Sequence, residues 1–170
     1  MICESKEDST SCPADCAGKE LETTFDFTLG STGVLFSLKA LRDVSVSSFA
    51  VNAMSRGEGE VKVYTRSGGY SGHEQSSEGW ELVYNNASVT HNRRGKPTEL
   101  GDFDKAVLVT AGATQSFLII SSKGLVYKAG TEQGAEFVSD EAMIVYEGAG
   151  ITSEFEGSIY SPRVFGGIVR

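Results

Sequence analysis

Cysteine is nearly absent from this 170-residue chain: Cys3, Cys12 and Cys16 are all it has, and everything after Cys16 must fold without disulfides. A chain of this length buries roughly two thirds of the surface its unfolded form exposes, so a covalent scaffold is not required. Proline is also scarce, at 3 residues, which excludes collagen-like and proline-rich extended structure. No apolar run approaches the roughly 20 residues of a membrane-spanning helix, and the first residues lack the apolar core of a secretory signal. Basic charge is short too. The formal net charge is −8, and the only tight cationic cluster, Arg93, Arg94 and Lys96, reads as a solvated loop, which opposes nucleic-acid binding through phosphates. With 2 histidines there is little material for a triad or a histidine metal centre.

What remains is a rhythm of short β-branched and aromatic runs separated by Gly, Asn, Asp or Ser. LETTFDFTL (21–29) alternates apolar and polar residues and reads as a half-buried strand. GVLFSLKAL follows, then VSVSSFAV, where a switch of face suggests a bulge near Ser47 and Ser48. Gly57-Glu58-Gly59 reads as a hairpin turn into EVKVYTRS. WELVYNN, KAVLVTA, QSFLIISS, LVYKA, AMIVYEG and RVFGGIVR complete the set, with tight hairpins expected at 111–113 and at Lys123-Gly124. No segment sustains a 3.6-residue period. These features predict an all-β domain over residues 20–170: an antiparallel two-sheet β-sandwich, jelly-roll-like, of about ten strands. The last run, VFGGIVR, is expected to pair with the first strand.

Residues 1–19 form a separate Cys-rich tether. Zinc does not suit it, because the segment has no histidine and its carboxylates favour a harder cation. Those carboxylates also raise thiol pKa values and so oppose a reactive cysteine. Disulfide pairing is the better account, and the odd count leaves one partner missing. ICESKEDSTSCPADC resembles the second half of a small motif of secreted proteins, C-G-D-G-x-C-x-x-G-E-x-C-x-x-C-P-x-D-C. It departs at Ser5-Lys6 and has no cysteine at Asp8 or Ser9, so the pairing of Cys3, Cys12 and Cys16 is not carried over. The resemblance implies an oxidising compartment, secreted or cell-surface, and a chain that is a piece of a longer protein.

The body carries a second resemblance. TTFDF, GVLFSLKALRDVSVSSFAV, VKVYTRSGGYSGHEQSSEGWELV, AGATQSFLII, LVYKAGTEQG, FVSDEAMIVYEG and SPRVFGGIV are similar to a β-sandwich module of algal and bacterial secreted or surface proteins, one without an established activity. It implies fold and compartment, and leaves the ligand open.

Residues 65–80, TRSGGYSGHEQSSEGW, form the densest polar and aromatic stretch between strands, and long loops in compact domains are usually functional or disordered. Arg66, Tyr70, His73, Glu74 and Trp80 offer a guanidinium, two aromatic faces, an imidazole and a carboxylate, a set suited to a sugar or a partner surface. Core roles compete for Trp80 and Tyr70. No catalytic residue is assigned: His73-Glu74 lacks the second histidine of a zinc-protease helix, and the Gly69-Tyr70-Ser71-Gly72 run lacks the spacing of a nucleophile elbow. Loop acids offer a weaker calcium site at Asp102, Asp104, Glu136 and Asp140. Asn86-Ala87-Ser88 is a glycosylation sequon, and Arg163 is expected to pair with an acidic loop. The sequence reading is thus a non-catalytic binding or adhesion module for a glycan or extracellular matrix partner. The alternatives are a homo-oligomeric coat or fibre subunit and, more weakly, a polysaccharide hydrolase.

Overall fold

The computed structural model describes residues 19–170, so the three cysteines and nearly all of the tether lie outside the described residues. Fourteen strands and no helix occupy the described residues, and none of them therefore forms a helix long and apolar enough to cross a membrane. In order they are β1 (Leu21–Glu22), β2 (Leu29–Ala40), β3 (Val44–Val46), β4 (Phe49–Asn52), β5 (Gly57–Ser67), β6 (Glu81–His91) and β7 (Pro97–Glu99). They continue as β8 (Val107–Val109), β9 (Thr114–Ala129), β10 (Glu136–Ser139), β11 (Met143–Tyr146), β12 (Gly148–Ser153), β13 (Glu156–Val164) and β14 (Gly167–Val169). All pairings are antiparallel. One sheet has eight strands in the order β10-β11-β2-β12-β13-β9-β5-β6, a second runs β1-β14-β4-β7, and β3 pairs with β8.

The expected ten strands become fourteen because apolar runs break where the chain crosses between sheets. The bulge predicted at Ser47 and Ser48 is such a break: both amides donate to the Arg170 carbonyl, at 2.7 and 3.3 Å, and β3 and β4 join different sheets. RVFGGIVR divides after Val164 in the same way, whereas AMIVYEG divides at Glu147 within the large sheet, its two parts pairing with different stretches of β2. The hairpin expected at 111–113 is only a turn, the Ala113 amide donating to the Thr110 carbonyl at 2.9 Å, because it joins β8 and β9, which lie in different sheets. The reverse error occurs at Lys123-Gly124. No hairpin forms there, and β9 runs through it, its register against β2 passing from Leu125 opposite Ser31 to Ile120 opposite Gly33. Gly124 takes φ +72, a left-handed conformation that a side chain would strain, and so lets the extra residues bulge out of the ladder.

Two further expectations are corrected. Gly57-Glu58-Gly59 is not a turn but the start of β5, paired with His91, Thr90 and Val89 of β6. LETTFDFTL is not one strand. After Glu22 the chain leaves the sheet, and Thr23 Oγ1 donates to the Phe165 carbonyl at 2.6 Å and accepts from the Gly167 amide at 3.0 Å. The last strand does meet the first, but only through Leu21 with Val169 and Glu22 with Ile168.

Strands β2 and β9 carry the core because both of their faces are buried, which is why they read as continuous apolar runs rather than alternating ones. Val34, Phe36 and Leu38 of β2, with Phe117 and Ile119 of β9, meet Phe49 and Val51 of β4, Val46, Val109, Phe165 and Val169 in one cluster. Phe36 lies flat on Phe165, with ring centres 4.3 Å apart and planes 6° apart. Each such ring contributes about 1.5–3 kcal/mol by leaving water. On the reverse face Leu35, Leu118, Ile120, Ala149 and Ile151 form a second cluster with Tyr70, edged by Tyr64, Trp80, Phe155 and Ile159. This second layer seats the loop between β5 and β6.

Candidate binding site

The β5–β6 loop leaves the sheet under firm control. The Gly68 amide donates to the Thr114 carbonyl at 2.8 Å, and the Gly68 carbonyl accepts from Ser116 Oγ at 2.6 Å. Tyr70 then turns inward and is only 4% exposed. Its carbonyl accepts from the His73 amide at 2.8 Å, and the His73 carbonyl accepts from Trp80 Nε1 at 2.9 Å, so the loop is clasped end to end. Gln75 Nε2 donates to the Gly157 carbonyl at 2.5 Å and ties the loop to β13.

The five residues singled out in the loop do not come together in one site. Tyr70 faces a cleft of about 430 Å³ whose lining includes Ser37, Ser71, Gln133, Tyr146 and Glu147. Its phenol oxygen accepts from Gln133 Nε2 at 3.0 Å. Burial pushes the Tyr70 phenol up to about 12, against a partial lowering by the Gln133 bond, with the Glu74 charge adding to the rise. The hydroxyl is therefore neutral across the physiological range. Arg66 and Trp80 do not line this cleft; Trp80 packs at the edge of the same second apolar cluster that holds Tyr70. The Arg66 guanidinium carbon is 5.9 Å from the indole centre, and the indole tilts against Phe155 with ring centres 6.1 Å apart. Arg66 Nε and Nη1 are shielded from water and have no hydrogen-bond partner among the described residues. His73 works through its backbone, its side chain exposed; Glu74 is half-buried.

Sequence reasoning did not find Ser37, Gln133, Tyr146 or Glu147, which reach the cleft from β2, from the β9–β10 connection and from the end of β11. Glu147 is the organiser. It is 5% exposed, and its carboxylate accepts from the Thr131 and Glu132 amides at 2.6 and 2.8 Å and from Thr131 Oγ1 at 3.1 Å. Its backbone also bonds the amide of Gly134 and the carbonyl of Ala135. Gly130 must lack a side chain because a Cβ there would overlap Glu147 Oε2. Burial raises the Tyr146 phenol, and the Glu136 charge adds to this. The available signal was a lone acid ending the apolar run MIVY, opposite the Gly-bounded KAGTEQG.

The four acids considered for calcium do not converge. Asp102 and Asp140 border one groove of about 450 Å³, together with Arg42 and Arg170, whereas Asp104 and Glu136 lie outside it. Asp140 is occupied in shaping a turn, its Oδ1 accepting from the Ala142 and Met143 amides at 2.7 and 2.9 Å. Among the described residues, no group of three or more His, Cys, Asp or Glu side chains is placed to hold a metal. Arg163 has no carboxylate partner among the described residues. Its guanidinium lies over Tyr127 instead, 5.9 Å from the ring centre, which corrects the expected pairing with an acidic loop. Asn86 is exposed on β6. No protein-family model matches the chain, and no curated protein matches it.

Proposed function

We propose that this chain is a non-catalytic binding module of a secreted or cell-surface protein, and that it takes a glycan in the cleft between the β5–β6 loop and the β9–β10 connection. The observation that carries this reading is the pairing of two tyrosines, Tyr70 and Tyr146, with an amide at Gln133 and hydroxyls at Ser37 and Ser71 around one cleft. The half-buried Tyr146 ring can cover the apolar face of a sugar, while the buried Tyr70 offers its hydroxyl and the amide and hydroxyls select the sugar's hydroxyl groups. Tyr70 accepts from Gln133, which leaves its own proton free for a ligand oxygen. Hydrolysis fits less well. A glycosidase needs two carboxylates facing the bond, and the cleft holds one, Glu147, already committed to the Thr131 and Glu132 amides.

In this reading the framework is a jelly-roll-like sandwich, the large sheet facing the sheet of β1, β14, β4 and β7 across the main core. A broad glycan array followed by calorimetry tests the function. Tyr146→Ala and Gln133→Ala are expected to weaken binding at least tenfold while leaving the unfolding transition in place. Absence of binding across the array and to surface extracts would remove the proposal.

One observation favours the coat or fibre reading. Strand β6 ends the large sheet, spans eleven residues and is hydrogen-bonded along one side to β5, with Leu82 44% exposed. Such an edge is a template for another strand. Light scattering over a concentration series decides it, and a concentration-independent monomer would exclude this assembly.

A further inference from the structure

At the far end of β5 from the tyrosine cleft, the molecule concentrates the positive charge that it otherwise has little of. A second cleft of about 740 Å³ is lined by Arg56, Arg93 and Lys96, with Thr90, Asn92 and Glu99. Among the described residues none of the three cations has a carboxylate within ion-pair distance. Glu99, the one acid in the lining, is engaged by Arg170 at 2.5 and 3.2 Å. Three uncompensated cations in one concavity of a chain with net charge −8 are a local reversal of the molecule's field.

The turn that presents them is solvent-exposed, as expected from sequence, and its backbone is firmly held. The Lys96 amide donates to the Arg93 carbonyl at 3.1 Å, and the Gly95 amide donates to Oδ1 of fully buried Asn52 at 2.8 Å. Asn92 is held twice, its amide donating to Thr98 Oγ1 at 2.8 Å and its Nδ2 to the Pro97 carbonyl at 2.7 Å. The opposite wall is fixed by buried His91. Its Nδ1 lies 2.9 Å from the Val89 carbonyl and 3.2 Å from the Gly57 carbonyl and so carries the proton, while Nε2, 2.9 Å from Ser121 Oγ, accepts. This anchors Gly57 to the end of β6 and places Arg56 across from Arg93. Arg94 takes no part, its guanidinium lying over Phe27 at 5.8 Å.

The concavity also continues. An adjoining cleft of about 400 Å³ shares Thr90, Asn92 and Glu99 with the first and extends along β6 past Asn86 and Ser88. A trough of that form accommodates a chain rather than a single ion. No Phe, Tyr or Trp lines its cationic end, and its one imidazole, His91, is buried, so it offers no exposed aromatic platform for a nucleobase.

From these observations we infer that the Arg56, Arg93 and Lys96 trough is a binding site for an acidic polysaccharide, its sulfate or carboxylate groups held by the three cations and its hydroxyls by Thr90 and Asn92. The site lies roughly 30 Å from the tyrosine cleft, the length of β5 at the rise of an extended strand. It stands or falls independently of the proposed function.

The test is calorimetry on the unglycosylated full chain with a sulfated oligosaccharide, its desulfated counterpart, inorganic sulfate and a single-stranded oligonucleotide. Binding of the sulfated oligosaccharide is expected, at least tenfold tighter than the desulfated form. It should weaken at least tenfold between about 50 and about 300 mM salt, as exposed charges are screened. Arg93→Ala with Lys96→Ala should abolish it, while Tyr146→Ala leaves it unchanged. Both cationic side chains are exposed, so the double variant should keep its unfolding transition, and a circular dichroism melt establishes that. Equal affinity for the desulfated sugar, binding retained in the double variant, inorganic sulfate binding as tightly as the oligosaccharide, or preference for the oligonucleotide would each overturn the inference.

Discussion

The indole Nε1 of Trp80 donates to the carbonyl of His73 at 2.9 Å, closing the β5–β6 loop on itself seven residues back along the chain. Trp80 is the chain's single tryptophan, so its fluorescence reports this loop alone. Trp80→Phe keeps much of the contact with Phe155 and removes the bond. The expected cost is about 0.5–1.5 kcal/mol in urea unfolding, the usual net worth of one hydrogen bond. Amide exchange should accelerate across residues 70–80 more than in β5. Unchanged exchange there would show that the clasp does not hold the loop.

Phe36 is the centre of the main core, stacked on Phe165 and within 5.7 Å of both Phe49 and Phe117 by ring centres. Truncating it leaves a cavity among rigid rings that cannot all move in. Phe36→Ala should therefore cost about 3–5 kcal/mol, in the range for buried aromatic truncation. Leu108→Ser is the contrast, since Leu108 is 61% exposed, and its effect should stay within about 0.5 kcal/mol. Denaturant midpoints measure both, and equal losses would contradict the placement of the core.

His91 sets a pH dependence. Burial lowers its pKa from the ordinary 6.5, opposed by its bonds to the Val89 and Gly57 carbonyls and reinforced by the Lys123 charge. The unfolded chain then binds more protons than the folded one just below pH 6.5, so stability falls as the pH drops through that window and levels below the folded-state pKa. Glu154 acts lower. Its pKa is depressed by bonds from Tyr64 and Lys62 despite burial, so its contribution is present above about pH 4.5 and disappears as the pH falls through the folded value. Urea unfolding from pH 7 to 3 should show both losses, with His91→Gln removing only the upper one.

Strand character was legible because period and β-branching act locally; sheet membership was not. Nothing in VSVSSFAV says that Val46 and Phe49 belong to different sheets, since the decision lies with the Arg170 carbonyl more than 120 residues away. The same limit applied to the site. Tyr70 and Trp80 are recognisable by type, yet only distant residues show that both pack on one apolar layer while Tyr70 alone also reaches a cleft, beside Gln133. Arg93 and Lys96 do lie on a solvated turn, but the buried Asn52 that holds it is remote in sequence and gave no local signal.

Glu147 brings these threads together, because its carboxylate shapes the cleft wall that carries Gln133. Both the Thr131 and Glu132 amides donate to Oε2 and Thr131 Oγ1 to Oε1, so Glu147→Gln can keep the amide bonds only with its Nε2 turned to Thr131 Oγ1, and every bond loses its charge assistance. Charge-assisted bonds to a buried carboxylate are stronger than neutral ones, so two backbone amides are held more weakly. A destabilisation of about 1–3 kcal/mol is expected, with exchange of the 131–135 amides accelerating beyond the global change. Gln133 would then no longer be held against Tyr70, so affinity for a ligand of the tyrosine cleft should fall although residue 147 need not touch it. Glu147→Asp separates geometry from charge: it keeps the carboxylate but withdraws it by one methylene. If the exchange of residues 131–135 stays at the wild-type rate in both variants, the wall is held by something other than this carboxylate.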